Sequence, residues 1–161
     1  MNIKGLKKNY KPLVKSGSQM AISWDFEPIL KDNGEDTIFA TWEQVILDKI
    51  ISFEEIKKII LAYYNNKIQQ RIVEGFKWEG NKVWLTPENQ INYRTAYDLA
   101  KMDSQKNLPV ILKFGDDEAE YFSFNTLREL EDFYMAFTSY IQETIRNGWK
   151  EKDEINWEDY R

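Results

Sequence analysis

Apolar side chains at every second position, separated by small or polar residues, mark the first predicted strand at residues 20–26. This alternation is typical of a strand buried on one face, and Pro28 is expected to limit its end. A polar cluster at residues 31–36 predicts a turn. Residues 37–47 are rich in β-forming side chains, so they are expected to return as the second strand of a hairpin.

Three longer stretches carry apolar residues at spacings of three and four, the period of an amphipathic α-helix. They cover residues 53–73, 86–102 and 126–147. The first and third follow the capping-box pattern, in which a hydroxyl and a carboxylate each satisfy an unpaired amide at the helix start. Thr86 caps the second helix, with Pro87 at its first position. Glycines are predicted to end the first and third helices, namely Gly75 and Gly148.

A further hairpin is predicted between the first two helices, with a two-residue turn at Gly80-Asn81. That turn would pair Trp78 with Val83 on an apolar face and Lys77 with Trp84 on a polar face. Trp84 is therefore a candidate interface residue, although an ordinary surface cation–π pair with a lysine is the alternative.

Residues 109–114 and 119–124 predict another hairpin, with a polar tip between them. Its apolar residues fall on both faces, which favours an inner position in the fold. The whole pattern predicts an α+β protein in which three helices pack against antiparallel β-hairpins.

The two ends of the chain differ from this pattern. Residues 1–19 show no clear period and contain Gly5, Pro12 and Gly17, so we predict an extended basic N-terminal arm. Residues 20–161 are predicted to form a single α+β domain. The C-terminal tail from residue 149 is charged but aromatic, and it is expected to form a strap over the body of that domain.

Composition removes several classes of function. The 161 residues include no cysteine and no histidine, so thiolate catalysis, histidine catalysis and the usual zinc sites are excluded. Phosphate-binding glycine motifs are absent, and we predict no cofactor, no metal and no small-molecule substrate. A net charge of -5 disfavours nucleic-acid binding, and no stretch is apolar enough to predict a signal peptide or a membrane span. The expected location is cytoplasmic.

Acidic residues offer the remaining route to catalysis. Residues 116–120 could bind a divalent cation, but a solvated hairpin tip explains them better. Acids at 54–55, 129 and 131–132 could act as a glycosidase pair, and a carboxylate-only hydrolase is one alternative. Because these acids fall in the first turns of predicted helices, favourable interaction with the helix dipole explains them without catalysis. The chain is therefore predicted not to be an enzyme.

Charge is distributed unevenly along the chain. Residues 1–24 carry five lysines and no acid, whereas residues 116–161 carry 13 acids and 5 bases, a difference of -8. Such asymmetry favours docking of the basic segment on an acidic surface, with buried apolar side chains holding the contact. The predicted interface residues are Lys4, Leu6, Lys7, Lys8, Tyr10, Lys11, Lys15 and, separately, Trp84.

Several short motifs resemble a domain family of unknown function found in phages and prophages of gut bacteria, often encoded near tail and tail-fibre genes. The similar segments lie mostly from Gly75 onward and include 75–78, 83–85, 88–93, 108–110, 124–134 and 148–157; residues 41–43 and the helix after Ser52 are also similar. The resemblance implies a non-enzymatic phage structural or tail-assembly protein, in contact with other phage structural proteins or itself. It would act in the host cytoplasm during assembly or in the virion. An accessory chaperone or regulator that is absent from the mature particle is the alternative.

Overall fold

The computed structural model describes residues 1–31, 33–115 and 120–161, and it confirms the α+β class. Within those residues there are four α-helices and three antiparallel sheets. The chain divides into two compact units, Met1–Tyr63 with Glu154–Arg161, and Tyr64–Asp153. This division differs from the predicted one, in which residues 1–19 were an arm and residues 20–161 a single domain.

The first unit is built on a four-stranded antiparallel sheet of β1 (Asn2–Leu6), β2 (Leu13–Ser16), β3 (Gln19–Leu30) and β4 (Asp36–Leu47). The strand order is β1-β4-β3-β2, so the predicted hairpin of β3 and β4 forms the centre. The residues predicted as an extended arm instead supply both edge strands. The reason is that unpaired main-chain groups along β3 and β4 are satisfied by pairing with these N-terminal residues.

Strand β3 continues past the predicted stop at Pro28. A bulge after Trp24 places Asp25 at a φ of 56°, and Pro28 then pairs with Ala40 of β4. Strand β2 pairs only with Gln19–Ile22 of β3, so the side of β3 next to Pro28 is an edge. Proline is tolerated there because no ladder hydrogen bond is needed on that side.

Helix α1 (Phe53–Glu74) begins with the predicted capping box, in which the Ser52 N–H donates to Glu55 and the Glu55 N–H donates to the Ser52 hydroxyl. Its first half belongs to the first unit, where Ile56 and Ile60 are buried. The segment predicted as a strap from residue 149 begins inside a helix, Leu127–Asp153, and only the residues after it are non-helical or 3-10. Trp157 of the 3-10 helix Trp157–Tyr160 meets the Phe53 ring edge-on, with the ring centroids 6.3 Å apart.

The second unit contains the rest of α1, three further helices and two small hairpins. The helices are α2 (Pro87–Met102), α3 (Ser104–Asn107) and α4 (Leu127–Asp153); the hairpins are β5 (Lys77–Trp78) with β6 (Asn81–Lys82) and β7 (Val110–Phe114) with β8 (Glu120–Phe124). Phe133 of α4 is fully buried at the centre of this unit. Six rings lie with centroids 5.2 to 6.3 Å from it, from Phe76, Trp78, Tyr93, Phe114, Phe124 and Phe137.

Gly75 directly follows the last residue of α1, as predicted, but Gly75 and Gly148 both lie in close packing contacts rather than in left-handed helix caps. Neither Gly75 nor Gly148 has a positive φ, and α4 runs through Gly148 to Asp153. A Cβ built on Gly148 would lie 2.2 Å from Cγ1 of Ile68. A Cβ on Gly75 would lie 2.1 Å from the hydroxyl of Tyr140, which donates to the Arg71 carbonyl over 2.6 Å. Close packing between α1 and α4, rather than backbone conformation, therefore requires glycine at both positions.

The hairpin after α1 turns one residue earlier than predicted. Glu79 and Gly80 occupy the turn with φ of 48° and 87°, so Trp78 pairs with Asn81 and Lys77 with Lys82. A two-residue turn of this kind needs positive φ at both positions, and Glu79 adopts it despite its side chain. The predicted pairing of Lys77 with Trp84 is therefore wrong.

The hairpin of β7 and β8 was predicted to lie inside the fold, but one of its faces is exposed. Ile111 and Tyr121 are 63% and 70% exposed, whereas Phe114 and Phe124 are buried against the core. Residues 116–119, which include the acids of the predicted tip and the first residue of the predicted second arm, lie outside the described residues. The core covers only one face of this two-stranded sheet. The apolar residues on its other face are therefore exposed, because no layer lies above them.

Candidate functional site

Strand β1 is an edge strand whose main chain is half unpaired. Met1 and Gln44 exchange two main-chain hydrogen bonds, of 3.0 and 2.9 Å. Antiparallel ladders alternate, so Ile3 and Gly5 also bond β4, while the N–H groups of Asn2, Lys4 and Leu6 and the C=O groups of Asn2 and Lys4 point away from it. The Leu6 C=O accepts the first hydrogen bond of the 3-10 helix Lys7–Asn9. Among the described residues, no strand pairs with that outer side. We call these outward-facing groups of Asn2, Lys4 and Leu6 the β1 edge.

A groove of about 520 Å³ lies at the Leu6 end of the β1 edge. Leu6, Lys7 and Lys8 line one side of it, and the start of β4 lines the other with Asp36, Thr37 and Ile38. Ile38 is 68% exposed there. Lys7 forms an ion pair with Asp36, which neutralises the acid found among these described lining residues. We call this cavity the tip groove.

The five predicted lysines are divided between the two edges of the sheet. Lys4, Lys7 and Lys8 lie on the β1 edge or the tip groove, in β1 and the 3-10 helix Lys7–Asn9 that follows it. Lys15 lies on β2, where it pairs with Met20 and so lines up with Leu47 of β4, six residues from Thr41, the partner of Lys4. It is therefore displaced from Lys4 by about 14 Å across the sheet and about 20 Å along it. Lys11 lies between the two groups and is exposed. The structure thus brings three of the five lysines together, not all of them.

The lysines at the β1 edge are available for an anionic partner. Lys4 and Lys8 are exposed and take part in no ion pair within the part of the chain that the structure describes. An exposed ammonium stays hydrated, and its charge can orient an approaching anionic partner. Lys7 differs, because Asp36 already holds it.

Tyr10, predicted as an interface anchor, packs inside the first unit. The segment between β1 and β2 crosses the sheet, and the Tyr10 ring lies 4.8 Å from Phe26 and 5.8 Å from Trp42 between centroids. Its hydroxyl donates to the Ser23 carbonyl over 3.4 Å, and burial raises its pKa. Tyr10 therefore fixes the crossover to the sheet. Leu6 is the predicted apolar residue that does line an open cavity.

Trp84 belongs to the second unit, where it lies three residues before Pro87, the first residue of α2. The ammonium of Lys82 lies 3.8 Å from the centroid of its ring, so the cation–π alternative is present, with Lys82 rather than Lys77. The Trp84 carbonyl accepts a hydrogen bond from the Asn89 side chain over 2.8 Å. These contacts position the ring without requiring a partner.

Three of the five acids weighed as a catalytic pair accept hydrogen bonds at helix starts or from a tyrosine. Glu129 accepts main-chain hydrogen bonds from Thr126 and Asn125, which hold its pKa below the ordinary glutamate value. The Ser52 N–H does the same for the pKa of Glu55. Glu131 accepts the Tyr97 hydroxyl over 2.9 Å, and that bond raises the pKa of Tyr97. These roles favour the structural interpretation of the acids.

Two other surface cavities lie in the second unit. One of about 490 Å³ is lined by Ile91, Tyr134 and Phe137, between α2 and α4. Another of about 510 Å³ lies beside Trp78 and Asp132. Neither adjoins an unpaired strand edge with uncompensated lysines, so the β1 edge and the tip groove form the stronger candidate site. Sequence reasoning missed the groove because its two sides are 30 residues apart, and no local signal marked Thr37 or Ile38.

Side-chain chemistry adds no second candidate. In the described residues, no three histidine, cysteine, aspartate or glutamate side chains are placed to hold a metal ion. Every helix of the described ranges is too short or too polar to span a lipid bilayer. Comparisons with protein-family models, with curated proteins and with solved structures each found no match.

Proposed function

We propose that this chain is a non-enzymatic bacteriophage structural or tail-assembly protein that acts through protein–protein contacts. The observation that carries the protein–protein part is the β1 edge, where unpaired main-chain groups, exposed lysines and an apolar groove occur together. The phage context comes from the sequence resemblance given above. An unpaired strand edge offers main-chain groups on which a strand of another chain can pair.

The charge of this surface suits a partner with an acidic face. Lys4 and Lys8 would orient the encounter, and the apolar lining of the tip groove, with Leu6 and Ile38, would hold the complex. Rim charges mainly affect association rates, whereas buried apolar contacts slow dissociation. Binding is therefore expected to weaken as salt is raised, without being lost altogether.

Charge reversal tests this proposal in purified particles. A phage genome that encodes this chain would be given Lys4→Glu with Lys8→Glu, or Lys15→Glu as the matched control on the opposite edge. We expect mass spectrometry to detect the chain in wild-type and control particles. In the double variant, the amount of the chain in particles or the number of intact tails should fall about tenfold or more.

Other outcomes decide against the proposal in defined ways. Absence of the chain from wild-type particles, with normal tails only when it is expressed, would support the accessory chaperone instead. Unchanged particles and unchanged tails in the double variant would refute the role of the β1 edge. Light scattering of the purified chain at low and high salt separately tests self-association, since a contact between charged surfaces should loosen as salt is raised.

A further inference from the structure

We propose that the β1 edge binds its partner by strand addition, with an extended acidic segment of another protein as the fifth strand of the sheet. This inference rests on the proposed function, and it specifies how the contact is made and what the partner supplies. The segment would run beside Asn2, Lys4 and Leu6, with one apolar side chain in the tip groove. Strand addition of this kind takes affinity from main-chain hydrogen bonds and specificity from side-chain pockets.

The first step of the argument is the supply of hydrogen bonds. The outer side of β1 offers three N–H groups, from Asn2, Lys4 and Leu6, and two C=O groups, from Asn2 and Lys4. The Leu6 C=O caps the 3-10 helix Lys7–Asn9 and accepts its first hydrogen bond. The spacing of the outward groups already matches a β-strand, because the inner groups of β1 are held in register by β4. A partner strand would therefore need to order only itself, which lowers the entropic cost of binding.

The second step is the choice of partner. Lys4 is the central residue of the β1 edge, so a directly opposed residue of an added strand would sit beside its ammonium. An acidic residue there is favourable, whereas a like charge is destabilising. A second copy of this chain, paired antiparallel about the same centre, would place Lys4 opposite Lys4. Lysine on an edge strand thus disfavours self-pairing and selects an acidic strand.

The third step is the tip groove. It adjoins the end of the β1 edge and shares Leu6 with it. At about 520 Å³ it is large enough for a leucine or phenylalanine side chain. Because side chains of an added strand alternate between the two faces, only one end residue of the segment would enter this groove. The expected recognition element is therefore an extended acidic run with an apolar residue at one end.

Synthetic peptides provide the probe. We would titrate the isotope-labelled full chain with a blocked peptide of alternating threonine and glutamate that ends in leucine. Controls are the same peptide with lysine for glutamate, and the glutamate peptide with alternate amides N-methylated. The readouts are NMR shifts of all amides and hydrogen exchange of the Asn2, Lys4 and Leu6 amides.

Strand addition predicts that the glutamate peptide shifts these three amides and slows their exchange. The lysine peptide should bind about tenfold more weakly or less, since it opposes like charges. The N-methylated peptide should not bind, because methylation removes the donors that the edge carbonyls need. No binding of the glutamate peptide at millimolar concentration would overturn the inference. Equal binding of either control would overturn it too, as would protection of the same amides by concentration-dependent dimerisation without peptide.

Proline variants test the same point from the side of the protein. Lys4→Pro removes the Lys4 ammonium and, from the main chain, only an outward N–H, so the ladder with β4 is kept and peptide binding should be lost. Lys15→Pro is the matched control, because Lys15 also points its N–H outward, on the opposite edge. Lys4→Thr keeps the N–H and removes the charge, so binding should weaken but persist. Full binding by a folded Lys4→Pro chain would overturn the inference, and if that variant does not fold, the methylated peptide still decides.

The two proposals fail in different ways. Loss of particle incorporation after charge reversal, together with no peptide binding, would keep the proposed function and reject strand addition. Peptide binding, together with unaffected particles and tails after charge reversal, would keep strand addition and reject the proposed function.

Discussion

Gly148→Ala is expected to destabilise the second unit, although alanine is the better helix former. In an isolated helix this change would stabilise by about 1 kcal/mol. Here the added Cβ would lie 2.2 Å from Cγ1 and 2.3 Å from Cδ1 of Ile68, whereas ordinary contacts begin at 3.4 Å. The helices α1 and α4 would have to separate locally by about 1 Å, or Ile68 would have to leave its rotamer.

The expected magnitude follows from two opposing effects. Ile68 is 6% exposed, so its side chain cannot turn out into water without losing its burial. Overpacking of a close contact costs about 1 to 3 kcal/mol, and the improved helix propensity offsets about 1 kcal/mol of that. We expect a net loss of about 1 kcal/mol of unfolding free energy, with the opposite sign to the helix scale.

Urea unfolding followed by circular dichroism and tryptophan fluorescence measures this loss. Asn147→Ala is the matched control, because Asn147 precedes Gly148 in the same helix and is exposed; it should stabilise by a few tenths of a kcal/mol, about 0.5 at most. Ile68→Ala alone should cost about 2 to 5 kcal/mol, and the double variant should recover about 1 kcal/mol of the sum. A stabilising Gly148→Ala with no coupling to Ile68 would refute the steric argument.

Two further predictions concern the first unit and the helix caps. Tyr10→Ala should lower the unfolding free energy in urea by about 2 kcal/mol, because roughly half of an aromatic side chain is buried against Phe26 and Trp42. Tyr10→Phe should cost less than half as much. An unchanged urea midpoint for Tyr10→Ala would mean that this ring does not hold the crossover. Glu55 and Glu129 have folded-state pKa values below their unfolded ones, so their contribution is present above the unfolded value near 4.3 and is lost as pH falls toward the folded value. Unfolding midpoints measured from pH 6 to 3 should therefore fall less steeply in a Glu55→Gln, Glu129→Gln variant, and parallel profiles would contradict this.

The sequence by itself determined the elements whose signals are local. The capping boxes at Ser52 and Thr126 and the Thr86 cap are present, because each joins groups three residues apart in one turn of chain. The long helices and the β3–β4 hairpin followed from periodicity, since burial of one face imposes a period of 3.6 or 2 wherever that face lies.

Tertiary structure decided which residues far apart in the sequence pack or pair with each other. Gly148 carries the same local signal as a helix terminus. Only the approach of Ile68 from α1 shows that Gly148 is a packing position inside α4. Residues 1–19 lack an obvious period because two short edge strands and a crossover leave little room for repetition, and their pairing partners lie in β3 and β4. The candidate site has the same origin. Its groove joins Leu6 to Ile38, and no local rule connects residues brought together only when β1 pairs with the far end of a hairpin.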